Sequence, residues 1–452
     1  MLRLVFKNSQ NLKLGRNFIS MLRSKNPVGE RDSKGLNPTL LGKAEETVEA
    51  LDQACSQMIA CSSESIPIAT SIDAVCTKCF EDDDLVKFIT QTGDPPGCSL
   101  CGSNDNPTAS VSHIADHIRN CLGEFFGLAD EQLPFQSRGG GYLGAHWDTY
   151  ELLFNQLEFE LPRDQHDRLA NTLCNLIGND VWCNYDWMLL DYDEELAYWW
   201  KQFCDTVTHE CRYFFAVPED SRIRGDEPEA PSPLGLLSTI VDLLGDLHMV
   251  KVVRAGQTFF RGRCADGPTK TDLTAAQLGP PPREKAVQAN RMNPPGIPMM
   301  YVAETKEIAM QETGCSRVAV GEFRLERQAR ILDLGDLPTV PGIFSGKNRR
   351  TRLGLIFLHA FAKEISRPVD RTERMALDYI PSQVVTEFIR DHKFHGQRID
   401  GIRYGSEYDP YRRNLVLFAT QEDLLEPNRS AKCSEDETAG RPWIRLVDTD
   451  IC

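Results

Sequence analysis

Residues 289–312 read Ala-Asn-Arg-Met-Asn-Pro-Pro-Gly-Ile-Pro-Met-Met-Tyr-Val-Ala-Glu-Thr-Lys-Glu-Ile-Ala-Met-Gln-Glu. Pro294, Pro295 and Gly296 punctuate an irregular loop, which carries one cation, Arg291. The apolar run 297–303 is bounded by Gly and Pro and is too short for a helix, so it predicts a buried strand. Thr305 then supplies an N-cap, with Glu304 and Glu307 near the positive end of the helix that it opens. Ile308 to Glu312 continue that helix. Loop, strand and helix thus offer a guanidinium, a phenol and a carboxylate on adjoining elements, as a small-molecule cleft requires.

Working outward, residues 234–248 predict a helix leading into a strand at Phe259–Arg261. Further strands are expected at 318–325, 331–334, 399–404 and 415–419. A helix over 353–365 carries Leu355, Phe357, Leu358 and Phe361 on its apolar face, and another runs from Gln383 to Arg390 behind Ser382. Short strands broken by a few helices, without regular alternation, indicate an α+β domain.

The order Arg291-Met292-Asn293-Pro294-Pro295-Gly296, Tyr301, Glu312 resembles the central motif of the RES domain family. A serine follows at Ser382 in Tyr-Ile-Pro-Ser-Gln, and Arg261 in Phe-Phe-Arg-Gly-Arg fits the strand with which RES domains begin. The resemblance covers roughly residues 250–425. Met292 stands where many members carry tryptophan, which alters the stacking surface. The resemblance implies an ADP-ribosyltransferase-like fold and an NAD-degrading enzyme, a toxin or defence effector that cleaves the nicotinamide–ribose bond as a glycohydrolase or phosphorylase. Protein ADP-ribosylation and non-catalytic nucleotide binding are the alternatives.

In that setting Glu312 would stabilise the positive charge that builds on the ribose, or orient the attacking water or phosphate. Arg261 and Arg291 would grip the diphosphate through their planar forks. Tyr301 offers a ring and a hydroxyl, and Asn293 and Ser382 would bond phosphate or ribose oxygens. No His–Asp pair is placed to make Ser382 a nucleophile.

The 452 residues exceed one ordinary domain. A formal net charge of −16 argues against generalised binding to nucleic acid or anionic membranes. No apolar run approaches membrane-spanning length. The organisation expected is a basic extension and linker (1–42), a zinc-knuckle region (43–125, opening with a helix at 43–60), a helical domain (126–217), a linker (218–233), a catalytic domain (234–426) and a polar tail (427–452). The first 26 residues are basic and acid-free, like an organelle transit peptide or a loosely ordered extension. No secretory signal is evident among them. A cytoplasmic, reducing setting is therefore expected, with the paired cysteines among the fifteen serving metal rather than disulfides.

Cys76-x2-Cys79 and Cys98-x2-Cys101, separated by 18 residues, have the spacing of a structural four-thiolate zinc site. His113, His117 and Cys121 share one helix face, either as a second site or as a helix packed on the knuckle. Gly139 to Gly144 satisfies G-x-G-x-x-G but lacks the preceding apolar strand, so a turn is expected rather than a dinucleotide fingerprint. Residues 148–216 look helical throughout, and the block from the knuckles to here resembles the HEPN/RES N-terminal domain. HEPN ribonucleases use an Arg followed within about four to six residues by His, and no such pair lies in this region (Arg163 is three residues before His166 and Arg138 eight before His146), so ribonuclease activity is not expected. NAD as substrate, structural zinc, an antitoxin or regulatory partner and a homo-oligomer complete the expectations.

Overall fold

The computed structural model describes residues 72–452 apart from 95–96, 138–139, 163–165, 186–188, 214–231, 266–272, 368–374, 407–411 and 428–441. The basic extension, the helix over 43–60 and nearly all of the 218–233 linker fall outside the described residues.

The N-terminal part begins with β1 (Ala74–Cys76), paired antiparallel with β2 (Thr108–Ser110), which draws the two cysteine knuckles together. Between them α1 (Asp83–Thr92) starts on Asp82, whose carboxylate accepts from the amides of Asp84 and Leu85, and stops at Gly93 in the left-handed region (φ 70°). Ser110 caps α2 (Val111–Phe125), and α3 (His166–Ile177) packs against it. Their shared core holds Val75, Leu85, Ile118, Leu122 and Leu173, together with Phe344 from the C-terminal part.

The helical expectation for 148–216 needs correction. β3 (Phe126–Leu128), β4 (His146–Asp148) and β5 (Val181–Asn184) form a three-stranded antiparallel sheet in the order β3-β5-β4. Val181-Trp182-Cys183 is a run of strand formers, and cross-strand pairing buries Trp182 and Cys183. Helix resumes at α4 (Tyr192–Asp205) and ends in a π-helical turn, Thr206–Glu210. The glycine-rich stretch lies in a hairpin, with Phe135–Gln136 paired to Gly141–Tyr142, and no helix follows it as a dinucleotide fold would need.

The C-terminal part is built on one mixed sheet. After α5 (Pro233–Asp246) come β6 (Val250–Val253), β7 (Thr258–Cys264), β8 (Met300–Ala303), α6 (Lys306–Gln311), β9 (Val318–Leu325) and β10 (Ala329–Asp333). Then follow α7 (Arg349–Ser366), α8 (Ile380–Asp391), β11 (Gly401–Gly405), β12 (Arg413–Leu417), β13 (Leu424–Leu425) and β14 (Ile444–Ile451). The nine strands lie in the order β13-β14-β9-β7-β8-β12-β11-β10-β6. All neighbours are antiparallel except β10–β11 and β13–β14. This is the mixed helix-and-sheet class expected.

Met300 and Val302 of β8 bury into one face with Phe323, Leu415 and Leu417. The other face meets α4, α5, α7 and α8 through Leu332, Ile402 and Val416, and Tyr301 packs there too. A central strand buried on both faces reads as a continuous apolar run, which is why 297–303 shows no alternation. One stretch read as tail belongs to the sheet: β14 lies inside the predicted 427–452 segment and pairs with β9 over its whole length. Its alternation of Ile444 and Leu446 inward with Arg445 and Val447 outward is a strand pattern that its acidic end obscured.

No helix among the described residues is long and apolar enough to cross a membrane.

Candidate active site and metal centre

The four knuckle sulfurs lie within 4.8 Å of one another, and they are the only such metal-ligating cluster among the described residues. Their Sγ–Sγ contacts of 3.5, 3.7 and 3.9 Å match the edge of about 3.8 Å that four Zn–S bonds of about 2.3 Å make in a tetrahedron. The Cys101 amide points at Cys98 Sγ (3.4 Å), and Gly102 turns the chain at φ 73°. Burial pushes the Cys76 thiol up to about 11. For Cys98 burial acts the same way but is outweighed by the amides of Cys101 and Leu100, which draw the thiol down to about 7. One thiolate forms readily and raises the cost of the next, so a fully ionised quartet needs a cation at its centre. The residues fit zinc. With Cys76, Cys79 and Cys98 buried, the site reads as structural.

The histidine face of α2 is a packing surface. His117 stacks on Phe88 with ring centroids 3.9 Å apart, and its Nε2 meets the Phe344 carbonyl at 2.8 Å. His113 meets the same Phe88 edge-on.

The C-x2-C pairs cluster as expected of metal ligands, whereas two cysteines outside them bond to each other. Cys264, at the end of β7, and Cys315, in the loop after α6, form a disulfide with Cα atoms 5.7 Å apart. That separation is in the ordinary bridging range, and a 51-residue gap gives no sequence signal for it.

The Arg291 loop is held from three directions. Tyr301 donates its hydroxyl to Asn293 Oδ1 (2.7 Å) and accepts from the Met292 amide (3.1 Å). Asn293, almost fully buried, donates to the Ile297 carbonyl at 2.8 Å. From the first turn of α8, Ser382 donates to the Arg291 carbonyl at 2.5 Å and Gln383 donates to the Asn290 carbonyl at 2.8 Å. Tyr301, Asn293 and Ser382 therefore spend their polar atoms on the loop itself. Met292 is buried in the core, so no ring faces a ligand there.

What the bracing presents is the Arg291 guanidinium. It lies over the Tyr404 ring, 5.4 Å from its centroid, and its Nε is buried without a hydrogen-bond partner among the described residues. Glu312 is tied to the same tyrosine through Asn414, the cross-strand partner of Tyr404. It caps the C-terminal end of α6, where Thr305 caps the start, and Asn414 donates to its Oε1 at 2.6 Å. The Glu312 side chain is exposed. Burial drives the Tyr404 hydroxyl well above the usual tyrosine range, Arg291 draws it down and Glu312 raises it, so cation and carboxylate both act on this one ring. Burial also raises Tyr301, with Tyr404 adding to the effect and Arg291 and Arg261 opposing it.

α6 comes this close because β7 has no side chain at position 262. A Cβ on Gly262 would stand 2.3 Å from the Ala309 carbonyl oxygen and 2.8 Å from Thr313. Arg261 stands differently. Cross-strand partners share a face, so Phe260 lies with Ala303 under α6, and Arg261 leaves the strand on the opposite side with Arg263. Burial, then Arg263 beside it, pull its guanidinium down to about 9, while Tyr301 partly offsets this. Its Nη1 is buried with no hydrogen-bond partner among the described residues. The structure thus gathers Arg291, Tyr301 and Glu312 around Tyr404 and roots Arg261 on the other sheet face.

A cleft of about 960 Å³ opens beside this cluster. Arg291, Tyr379 and Ser382 form one side, and Trp200, Lys201 and Asp205 of α4 form the other. Arg261, Asn293, Tyr301 and Glu312 are not among its lining residues. Sequence reasoning missed Tyr404, Asn414 and Gln383. A polar residue opening the apolar run Leu415–Leu417 was a signal for a buried Asn414, and Gln383 adjoins a residue already singled out.

No curated protein and no solved structure matches the chain. Residues 91–221 match the family described as HEPN/RES N-terminal domain 1, which takes in the second knuckle and runs through α4. Residues 262–436 match the RES domain, starting one residue after Arg261 and stopping before β14. The chain therefore carries an HEPN/RES N-terminal domain followed by a RES domain.

Proposed function

We propose that the chain acts on NAD, cleaving the nicotinamide–ribose bond and passing ADP-ribose to water or to inorganic phosphate. The RES domain supports action on NAD in general. The observation that carries the finer reading is the meeting of Arg291 and Glu312, from separate elements, at Tyr404. Breaking the bond leaves neutral nicotinamide and an oxocarbenium-like ribose, which water or phosphate attacks with loss of one proton. A carboxylate gains most where that positive charge develops. A unit charge pair about 4 Å apart at an effective dielectric of about 20 interacts by about 4 kcal/mol. If only half of that arises in the transition state, the rate still gains more than about tenfold.

Glu312 suits this role because it is held by Asn414 yet exposed to a ligand. Arg291 suits the diphosphate, having a buried Nε and a braced backbone. Consumption of NAD in this way would make the chain a toxin or defence effector. Incubating the protein with NAD and following free nicotinamide tests the reading. Glu312→Gln should abolish release while keeping the fold, and mass spectrometry of the second product separates ADP-ribose, its 1-phosphate and modified protein. Absence of nicotinamide release by the unaltered protein, with or without phosphate, would overturn it.

A further inference from the structure

We propose that the cleft between α4 and the start of α8 is the seat of the nucleoside 5′-phosphate half of the dinucleotide, with Lys201 of the N-terminal domain binding phosphate opposite Arg291. This rests on the reading of NAD as substrate. Arg291 belongs to both regions: it lines the cleft and lies over Tyr404, whose cross-strand partner Asn414 holds Glu312. A diphosphate held by Arg291 with its nicotinamide ribose at Glu312 has the rest of the molecule to place, and the cleft is the space open to it.

The lining matches the three parts of a nucleoside monophosphate. Lys201 and Arg291 both line the cleft and supply cations for phosphate. Lys201 is exposed and enters no ion pair among the described residues. Asp205 and Asp378 supply carboxylate acceptors of the kind that recognise a ribose diol. Leu377, exposed although apolar, offers a surface for the flat base. Glu364, the remaining acid, is engaged by the Trp200 indole at 2.8 Å. The volume is at the upper end of the range that small-molecule sites occupy. The consequence is that the RES domain does not hold its substrate alone. The last helix of the preceding domain forms one wall, and any displacement of α4 would alter affinity before it altered chemistry.

The test uses the full chain. Titration of 5′-AMP by calorimetry should show binding to the unaltered protein, weakened about tenfold or more by Lys201→Glu. Lys201→Ala should weaken it less. In steady state the ratio of kcat/KM for NAD to that for nicotinamide mononucleotide, which lacks the adenylate half, should fall about tenfold in Lys201→Glu. Circular dichroism should be unchanged, since Lys201 is exposed. Equal binding of AMP by both proteins, or binding by neither, would overturn the proposal. Failure to release nicotinamide would refute the enzymatic reading instead, and the AMP titration would still decide this one.

Discussion

Replacing Tyr301 with Phe removes one oxygen and separates two roles for this residue. In the structure the hydroxyl is spent on its own loop, donating to Asn293 Oδ1 and accepting from the Met292 amide. Its loss leaves the buried Met292 amide without a partner, while Asn293 Oδ1 keeps a longer bond from Asn290 Nδ2 (3.3 Å). At about 1–3 kcal/mol for one such group, the variant should lose about 1–3 kcal/mol of stability. The Arg291 guanidinium is presented by this loop, so affinity for NAD should fall as well, with Glu312 chemistry retained. Urea titration followed by fluorescence reads the first effect and the split between KM and kcat reads the second.

The same substitution has a pH signature. Burial raises Tyr301 and Tyr404 in the folded chain above their ordinary value of 10.0. Their contribution is complete below that value and is lost as pH rises beyond it, because the unfolded chain releases these protons while the folded one keeps them. Stability should therefore be flat across neutral pH and fall above about pH 10, less steeply in Tyr301→Phe. Unchanged stability combined with complete loss of kcat would refute the bracing argument and move the hydroxyl into the chemistry.

Gly262→Ala should force α6 away from β7, since the new methyl would meet a backbone oxygen that cannot rotate aside. A loss of about 1–3 kcal/mol and a drop in nicotinamide release out of proportion to any change in KM are expected. Arg291→Lys keeps the charge but loses the planar fork, so NAD affinity measured by calorimetry should fall about tenfold or more. Cys79→Ser should release one equivalent of zinc, measured by elemental analysis, and lower the thermal midpoint of the N-terminal part. A wild-type protein free of zinc would refute the metal centre. Asn414→Leu should lower kcat about tenfold with little change in KM, because it removes the amide that bonds Glu312 Oε1 without touching Arg291.

The sequence by itself determined what rests on short range. Two C-x2-C pairs fix a four-sulfur site because thiolate chemistry requires that spacing, and β1–β2 pairing only completes it. The Pro–Gly loop, the apolar strand and the Thr305-capped helix were legible because turn chemistry, burial and capping are local. Candidate residues were legible only as types. Tyr301, Asn293 and Ser382 were sequence candidates for ligand contact, and whether a hydroxyl faces a ligand or a neighbouring carbonyl depends on where a distant segment lands. Tertiary structure decided that α8 reaches back 91 residues to hold the Arg291 carbonyl. It also decided that Asn414 steers Glu312 across 102 residues and that Cys264 meets Cys315. Strand alternation placed Arg261 on the opposite sheet face from α6, because each residue along a strand reverses its side and register is fixed only by the partner strands.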